Sequence, residues 1–404
     1  MVTNTEKRVN GYISKTDSDN IPPDKPLNLV SALRRTGTAT LPLHYGYAPP
    51  WLVSRMIGLA DKIVAIIIDE YGQDELLRRL ANPFWFQALG CVLGYDWHSS
   101  GVTTVLTGVL KTVFRTEDHG LAVAGGKGRT SRHAPSEIER IGDAFDLSPD
   151  HVRSLQYASR MTAKVDNTAI QAGYPLYHHA FIMSQNEEWV VIQQGMSPLD
   201  KTARRYHWHS DKVKSFVDEP HEAIVCDVVR KRALDMTAGE SEECRKASVD
   251  LVKDGVRSLK RSFEAVRPMH QETLAKWIGN NVEEKDYIIQ TLSMPRRINW
   301  NTLKNAYEFQ PRNYEELLNL SGVGPATVRG LALVSEVIYG KPPSWRDPVK
   351  YSFAYGGKDG IPFPVNRQAM DESIKFLKDA IDRSKIDREN KIKSLQRLRR
   401  YVSE

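Results

Sequence analysis

Two adjacent histidines, His178 and His179, and two adjacent glutamines, Gln193 and Gln194, stand in a stretch that otherwise reads as an apolar β-hairpin. Tyr177–Met183 and Trp189–Gly195 are strand-like, and the polar Ser184–Glu188 separates them as a turn. If Met183 pairs with Trp189, antiparallel counting sets His179 opposite Gln193 and His178 opposite Gln194. Four polar side chains then gather at the end of the ribbon away from the turn, on both of its faces. Either a catalytic or metal-binding centre or a structural hydrogen-bond network would give them partners there. Asp96 and His98, in Tyr95-Asp96-Trp97-His98-Ser99-Ser100-Gly101, precede an apolar helix. They fit a metal or phosphate site at its N-terminus, and equally an N-cap from Ser99 or Ser100 with Asp96 bonded locally. Glu219-Pro220-His221-Glu222 and Asp227 add carboxylates and an imidazole. Such groups can hold Mg²⁺ or Mn²⁺ and orient water for hydrolysis. The candidate catalytic residues are therefore Asp96, His98, His178, His179 and Gln193. The candidate metal ligands are Asp96, His98, Glu219 and His221.

Grip on a substrate is read from Asn313–Gly340. Asn313 followed by Glu316 is an N-cap with a capping-box partner. Leu317, Leu318 and Leu320 give a short helix its apolar side, Ser321-Gly322-Val323-Gly324 breaks it, and Pro325 opens a second helix. Val328, Leu331, Leu333, Val334, Val337 and Ile338 form its expected buried face, and Gly340 closes it. Turn amides and the open N–H groups of the second helix then face one small volume that suits a phosphate. The order of residues resembles the helix-hairpin-helix motif, which holds a DNA backbone without reading sequence. Gly322, Val323, Gly324 and Thr327 would make that contact, although Ala326 stands where the motif often carries Lys. An ordinary helical hairpin would need the same glycines.

Further cations fit phosphates. Lys127, Arg129 and Arg132 lie in Gly125–Arg132, a glycine-rich loop that lacks the Walker A spacing, so no nucleotide cofactor is expected. Arg204-Arg205-Tyr206-His207-Trp208-His209 is a basic-aromatic stretch of the kind that stacks on bases. Lys358 and the basic run Lys391–Arg400 add to these.

The elements that must position these groups give an α+β, mostly helical chain. A disordered lead-in is expected over 1–34, a mixed α/β catalytic domain with the hairpin over 35–235, and an all-α DNA-binding domain over 236–366. A basic helix follows over 367–404. Helices are expected at Trp51–Tyr71, Asp74–Leu80, Pro83–Leu93, Val102–Phe114, from Ser136, and at Pro149–Val165. A hydrophilic helical connector is expected over Thr237–Phe263, and one long charged helix over Asp371–Val402. A net charge of +6 permits nucleic-acid binding without proving it. Cys91, Cys226 and Cys244 make neither a disulfide framework nor a zinc spacing, so a reducing cytoplasm is expected. No run is long enough for a membrane span.

Several stretches together resemble one family of archaeal and bacterial proteins, the domain-of-unknown-function family number 763. They include Pro83-Phe84-Trp85-Phe86-Gln87-Ala88-Leu89-Gly90, Asp96–Thr104, Gly125–Arg132, Tyr177-His178-His179-Ala180-Phe181, Gln193-Gln194-Gly195-Met196 and Glu219-Pro220-His221. The resemblance covers roughly Arg35 to Met370 and implies no activity. Asn366 stands where it leads one to expect Asp. The motifs point to a DNA-repair protein, as a metal-dependent, structure-specific endonuclease. A monofunctional glycosylase using Asp347, which lies 25 residues beyond Gly322, is the alternative, as is a non-catalytic DNA-binding protein.

Overall fold

Alternation of apolar side chains along three long strands builds a sheet that is buried on both faces. The computed structural model describes residues 48–95, 100–277, 293–349, 367–384 and 388–403. The expected lead-in, Asp96, His98 and Lys358 lie outside them. Among the described residues the sheet is five-stranded, antiparallel, in the order β1-β3-β4-β5-β6. Its strands are β1 (Leu121–Lys127), β3 (Leu176–Ser184), β4 (Trp189–Met196), β5 (Ala203–His209) and β6 (Ala223–Val225). A second ladder pairs β2 (Ile170–Gln171) with β7 (Leu234–Asp235).

Helices cover the sheet on either side. Its first face, through Val123, Ala180, Ile182, Val190 and Ile192, packs on α1 (Pro50–Tyr71), α2 (Gln73–Ala81), α3 (Pro83–Val92) and α4 (Ser100–Val113). The second face, through Ala124, Phe181, Met183, Val191, Tyr206 and Trp208, meets α6 (Ala134–Ala144) and α7 (Pro149–Lys164) after the short α5 (Thr116–His119). The same core takes in α8 (Glu242–Lys253), α9 (Val256–Trp277), α10 (Trp300–Phe309), α11 (Tyr314–Asn319) and α12 (Pro325–Tyr339). Core residues on both sides of position 235 therefore belong to one cluster, and the described residues all fall in one compact unit.

Several helices depart from expectation for identifiable reasons. The helix expected from Ser136 starts at Ala134, with Pro135 in its first turn; Ser136 Oγ donates to His133 O instead of capping. The hydrophilic stretch 237–263 is two helices parted at Gly255, and it buries Cys244, Val252, Leu259 and Phe263 in the core. The C-terminal stretch is two helices, α13 (Arg367–Arg383) and α14 (Arg388–Ser403), which place Leu377, Ile381 and Leu398 in the first-face core. In α12, Val337 and Ile338 emerge from the core and are exposed.

Candidate active site at the polar end of the sheet

The hairpin register is the one counted from sequence: Met183 pairs with Trp189, His179 with Gln193 and His178 with Gln194. Because side chains alternate, this single register divides the four polar groups between two faces. The row Lys127, His178, Gln194 and Arg205 lies on the first face; Gly126, His179, Gln193 and Tyr206 lie on the second. His178 and His179 therefore cannot serve one centre.

On the second face the polar groups form a buried relay. Asp166 anchors it from a single π-helical turn, Val165–Ala169, that continues α7. Such turns widen the helix and re-aim a side chain. Gln193 Nε2 donates to Asp166 Oδ2 at 2.6 Å, and Trp208 Nε1 donates to the same oxygen at 2.9 Å. His221 Nε2 meets Asp166 Oδ1 at 2.5 Å. With its amide so oriented, Gln193 Oε1 accepts from His179 Nδ1 at 2.8 Å. His179 Nε2 is then the acceptor for the Ser159 hydroxyl, 2.9 Å away. Burial pushes the Asp166 carboxyl up, against the pull of His221, Trp208 and Gln193. Burial lowers His179 to about 4, so its imidazole is neutral at physiological pH.

The first face is less completely bonded. Gln194 Nε2 donates to Ser100 O at 2.8 Å and also meets the Tyr177 hydroxyl, while its Oε1 accepts from Thr103. His178 Nε2 meets Thr107 Oγ1 at 3.0 Å. His178 Nδ1 is buried with no hydrogen-bond partner among the described residues. Burial, with His179 and Lys127 nearby, lowers His178 to about 3.

The expected substrate contacts separate into two groups. Lys127, Arg129 and Arg132 are exposed, at the end of β1 and on the 3₁₀ turn Gly128–His133. Arg204 and Arg205 are not available to a phosphate: they lie in an interior strand covered on both faces and are fully buried. Arg204 Nη2 donates to Asp347 Oδ2 at 2.6 Å and its guanidinium lies over the Tyr174 ring; Arg205 lies over the Phe86 ring. Burial pulls the Arg204 guanidinium down, but Asp347 prevails and holds it well above its ordinary value. The Asp347 carboxylate is equally buried and also accepts from the Arg230 amide.

The helical hairpin forms with the expected bounds. Asn313 Oδ1 accepts from Glu316 N at 2.9 Å, while Glu316 reaches back to the Arg312 amide at 2.8 Å. Ser321, Gly322 and Pro325 are exposed at the turn, whereas the Val323 and Thr327 side chains point into the core. Any contact those two residues make with a backbone must run through their amides. Lys164 Nζ donates to Leu320 O at 3.1 Å, and Gln171 Nε2 to Pro325 O at 2.9 Å. Residues 164–171 thus carry the relay carboxylate and also brace the turn.

Of the four expected metal ligands, Asp96 and His98 lie outside the described residues. His221 is paired with Asp166, whereas Glu219 is exposed on a left-handed backbone. Glu188, His209 and Asp211 are the one group of three whose ligand atoms lie within 4.8 Å of one another among the described residues. They sit at the turn end of the hairpin, with Ser210 bonded to Glu188. Ser159, Asp166 and Trp208 were not singled out in the sequence as site residues because they come from separate elements that no spacing rule links to His179 and Gln193. The one available signal was a carboxylate at 166 between the core positions Val165 and Ala169.

These features define a helix-covered antiparallel α+β protein with polar centres buried on both faces of its sheet. Residues 37–365 match the family described as "Protein of unknown function (DUF763)", and the chain belongs to that family. No curated protein and no solved structure matches it. None of the described helices is long and apolar enough to cross a membrane.

Proposed function

We propose that the protein is a DNA-repair nuclease, metal-dependent and structure-specific, held on the DNA backbone by the Leu320–Gly324 turn and the Lys127–Arg132 loop. The observation that carries the chemical half of the reading is His178 Nδ1, a buried neutral imidazole nitrogen with no hydrogen-bond partner among the described residues. Neutral imidazole is the form that ligates Mn²⁺ or accepts a proton from water. His98 is tethered to Ser100, the partner of Gln194, by two residues of chain, about 7 Å at most. Asp96 and His98 are accordingly the groups proposed to share a Mg²⁺ or Mn²⁺ with His178. Such an ion would offset charge on the phosphodiester and lower the pKa of a bound water. Lys127, paired with His178 across β1 and β3, would hold a phosphate beside it.

The glycosylase reading is weaker, because the carboxylate of Asp347 faces Arg204 in the core and not an open pocket. A non-catalytic DNA-binding protein remains the second reading, favoured by the second face, where every relay member already has a partner. Three buried cysteines that form no disulfide fit a cytoplasmic protein. The test is to incubate purified protein with duplex, flap, splayed and Holliday DNA, with and without Mn²⁺. Cleavage of a branched form that EDTA abolishes supports the nuclease. Release of a free base without metal supports a glycosylase, and binding without either supports the second reading.

A further inference from the structure

We infer that a cleft between α1, the end of α3 and α14 takes an unpaired DNA strand, with one base stacked on Trp51. The inference rests on the DNA-binding reading but uses none of the residues assigned to the metal site, the helical hairpin or the Lys127–Arg132 loop.

The cleft holds about 610 Å³, and its walls carry Trp51, Arg55, Lys62, Lys393 and Arg397, with Lys62 ion-paired to the neighbouring Asp61 and Lys393 to Glu389. Trp51 is 60% exposed, the most exposed of the large apolar side chains among the described residues. The Arg55 guanidinium lies 5.3 Å from its ring, a cation beside a π-surface. Cations alone would hold any polyanion. A bare indole among them favours a ligand that combines planar rings with phosphates, as a nucleic-acid strand does.

Spacing favours a strand over a single nucleotide. Arg55 and Lys62 are two helical turns apart on α1, about 10 Å, and Lys393 and Arg397 are one turn apart on α14. The charges therefore line a track longer than one phosphate. The floor is built to hold a cation as well. Gly94 has a left-handed φ of +97°, and a Cβ there would sit 3.0 Å from Arg397 Nη1, which reaches towards Val92 O. Glycine at 94 thus leaves room for the guanidinium. A base-paired duplex hides its base faces from Trp51, so the cleft should prefer unpaired DNA. This gives the basic C-terminal helix a role, and it places an unpaired strand on the same sheet face as His178.

The test uses the full chain and fluorescence anisotropy with three probes: oligo-dT, the same strand made abasic, and duplex DNA. The wild type should bind oligo-dT more tightly than the abasic strand. Trp51→Ala should weaken oligo-dT binding about tenfold while leaving abasic and duplex affinities unchanged, and Trp51→Phe should retain most of the preference. Arg55→Ala with Lys393→Ala should weaken both single strands. Equal wild-type affinity for oligo-dT and the abasic strand would overturn the proposal, as would unchanged oligo-dT binding by Trp51→Ala. A failure of the backbone grip at the helical hairpin would show in the duplex arm alone and leave the oligo-dT comparison readable.

Discussion

Arg204 and Asp347, 143 residues apart in the chain, meet at 2.6 Å with neither side chain reaching solvent. The pair ties an interior strand of the sheet to the segment that follows α12. It converts two residues that look functional in the sequence, a cation in a basic run and an Asp downstream of a glycine turn, into structural partners.

Asp347→Ala should therefore cost stability. Removing one member of a buried pair strands the other charge, typically at about 3–5 kcal/mol. Urea unfolding should show the loss, and adding Arg204→Met should recover part of it. An Asp347→Ala protein with an unchanged midpoint but a lost base-release activity would return this residue to catalysis.

Stability should fall as the solution is acidified through the histidine range. His178 and His179 titrate near 3 and 4 in the folded protein, below the ordinary value of about 6.5. Between those limits the unfolded chain binds more protons than the folded one, so stability rises with pH there and is lost as pH drops. The urea midpoint should decline from about pH 6.5 towards pH 4. His179→Gln should flatten that decline, and an unaltered slope would mean that His179 is protonated in the fold.

The two turn glycines should behave differently. Gly322 has φ +83°, and a Cβ there would lie 2.3 Å from Thr302 Oγ1, so Gly322→Ala should lower the melting temperature. Gly324 has ordinary backbone (φ −128°), and its Cβ would meet nothing closer than 4.0 Å. Gly324→Val is then the cleaner probe of function. It should weaken binding to all duplex sequences alike while leaving the melting temperature near that of the wild type. Full duplex affinity in that variant would remove the hairpin from the interface.

Local signals were the legible part of this chain. The hairpin register followed from apolar alternation and a polar turn, and the bounds of α11 and α12 followed from Asn313, Pro325 and Gly340, because these depend on neighbours in sequence. What covers each element was not legible. Arg204-Arg205-Tyr206-His207-Trp208-His209 has the composition of an exposed nucleic-acid patch, yet it is an interior strand. Asp347, Phe86, Gln87 and Tyr174, which do not adjoin it in the sequence, help make burial of its arginines tolerable. Asp166 was hidden for the converse reason. Its partners Gln193, Trp208 and His221 come from β4, β5 and the loop before β6, and no spacing rule links them.

The loop cations should contribute to binding and not to folding. Lys127, Arg129 and Arg132 are exposed, and exposed charges away from partners contribute little to stability. Changing all three to Ala should lower DNA affinity and reduce the slope of log K against log salt by about 0.9 for each phosphate no longer neutralised. Scanning calorimetry should show a nearly unchanged melting temperature. A large drop in melting temperature with the salt slope intact would make the loop structural.

Chemistry should divide along the two faces of the sheet. If His178 ligates the metal, His178→Ala should abolish Mn²⁺-dependent cleavage while DNA affinity stays within about twofold, since a ligand acts on the transition state and phosphate contacts set the ground state. Asp96→Ala should match it, and EDTA should mimic both. On the other face, Asp166→Asn leaves the shape but replaces an acceptor oxygen by a donor that faces other donors. Its first effect should be on folding, at about 1–3 kcal/mol, because a buried donor is left unsatisfied. Cleavage per folded molecule should persist. The reverse pattern, cleavage surviving His178→Ala but lost in a folded Asp166→Asn, would move the active centre to the Ser159–His221 relay. There, His179 or His221 would be the base, with Asp166 orienting it. Because His178 and the Asp166 relay lie on opposite faces of one sheet, His178→Ala and Asp166→Asn cannot both act on one metal, and comparing them decides which face carries the chemistry.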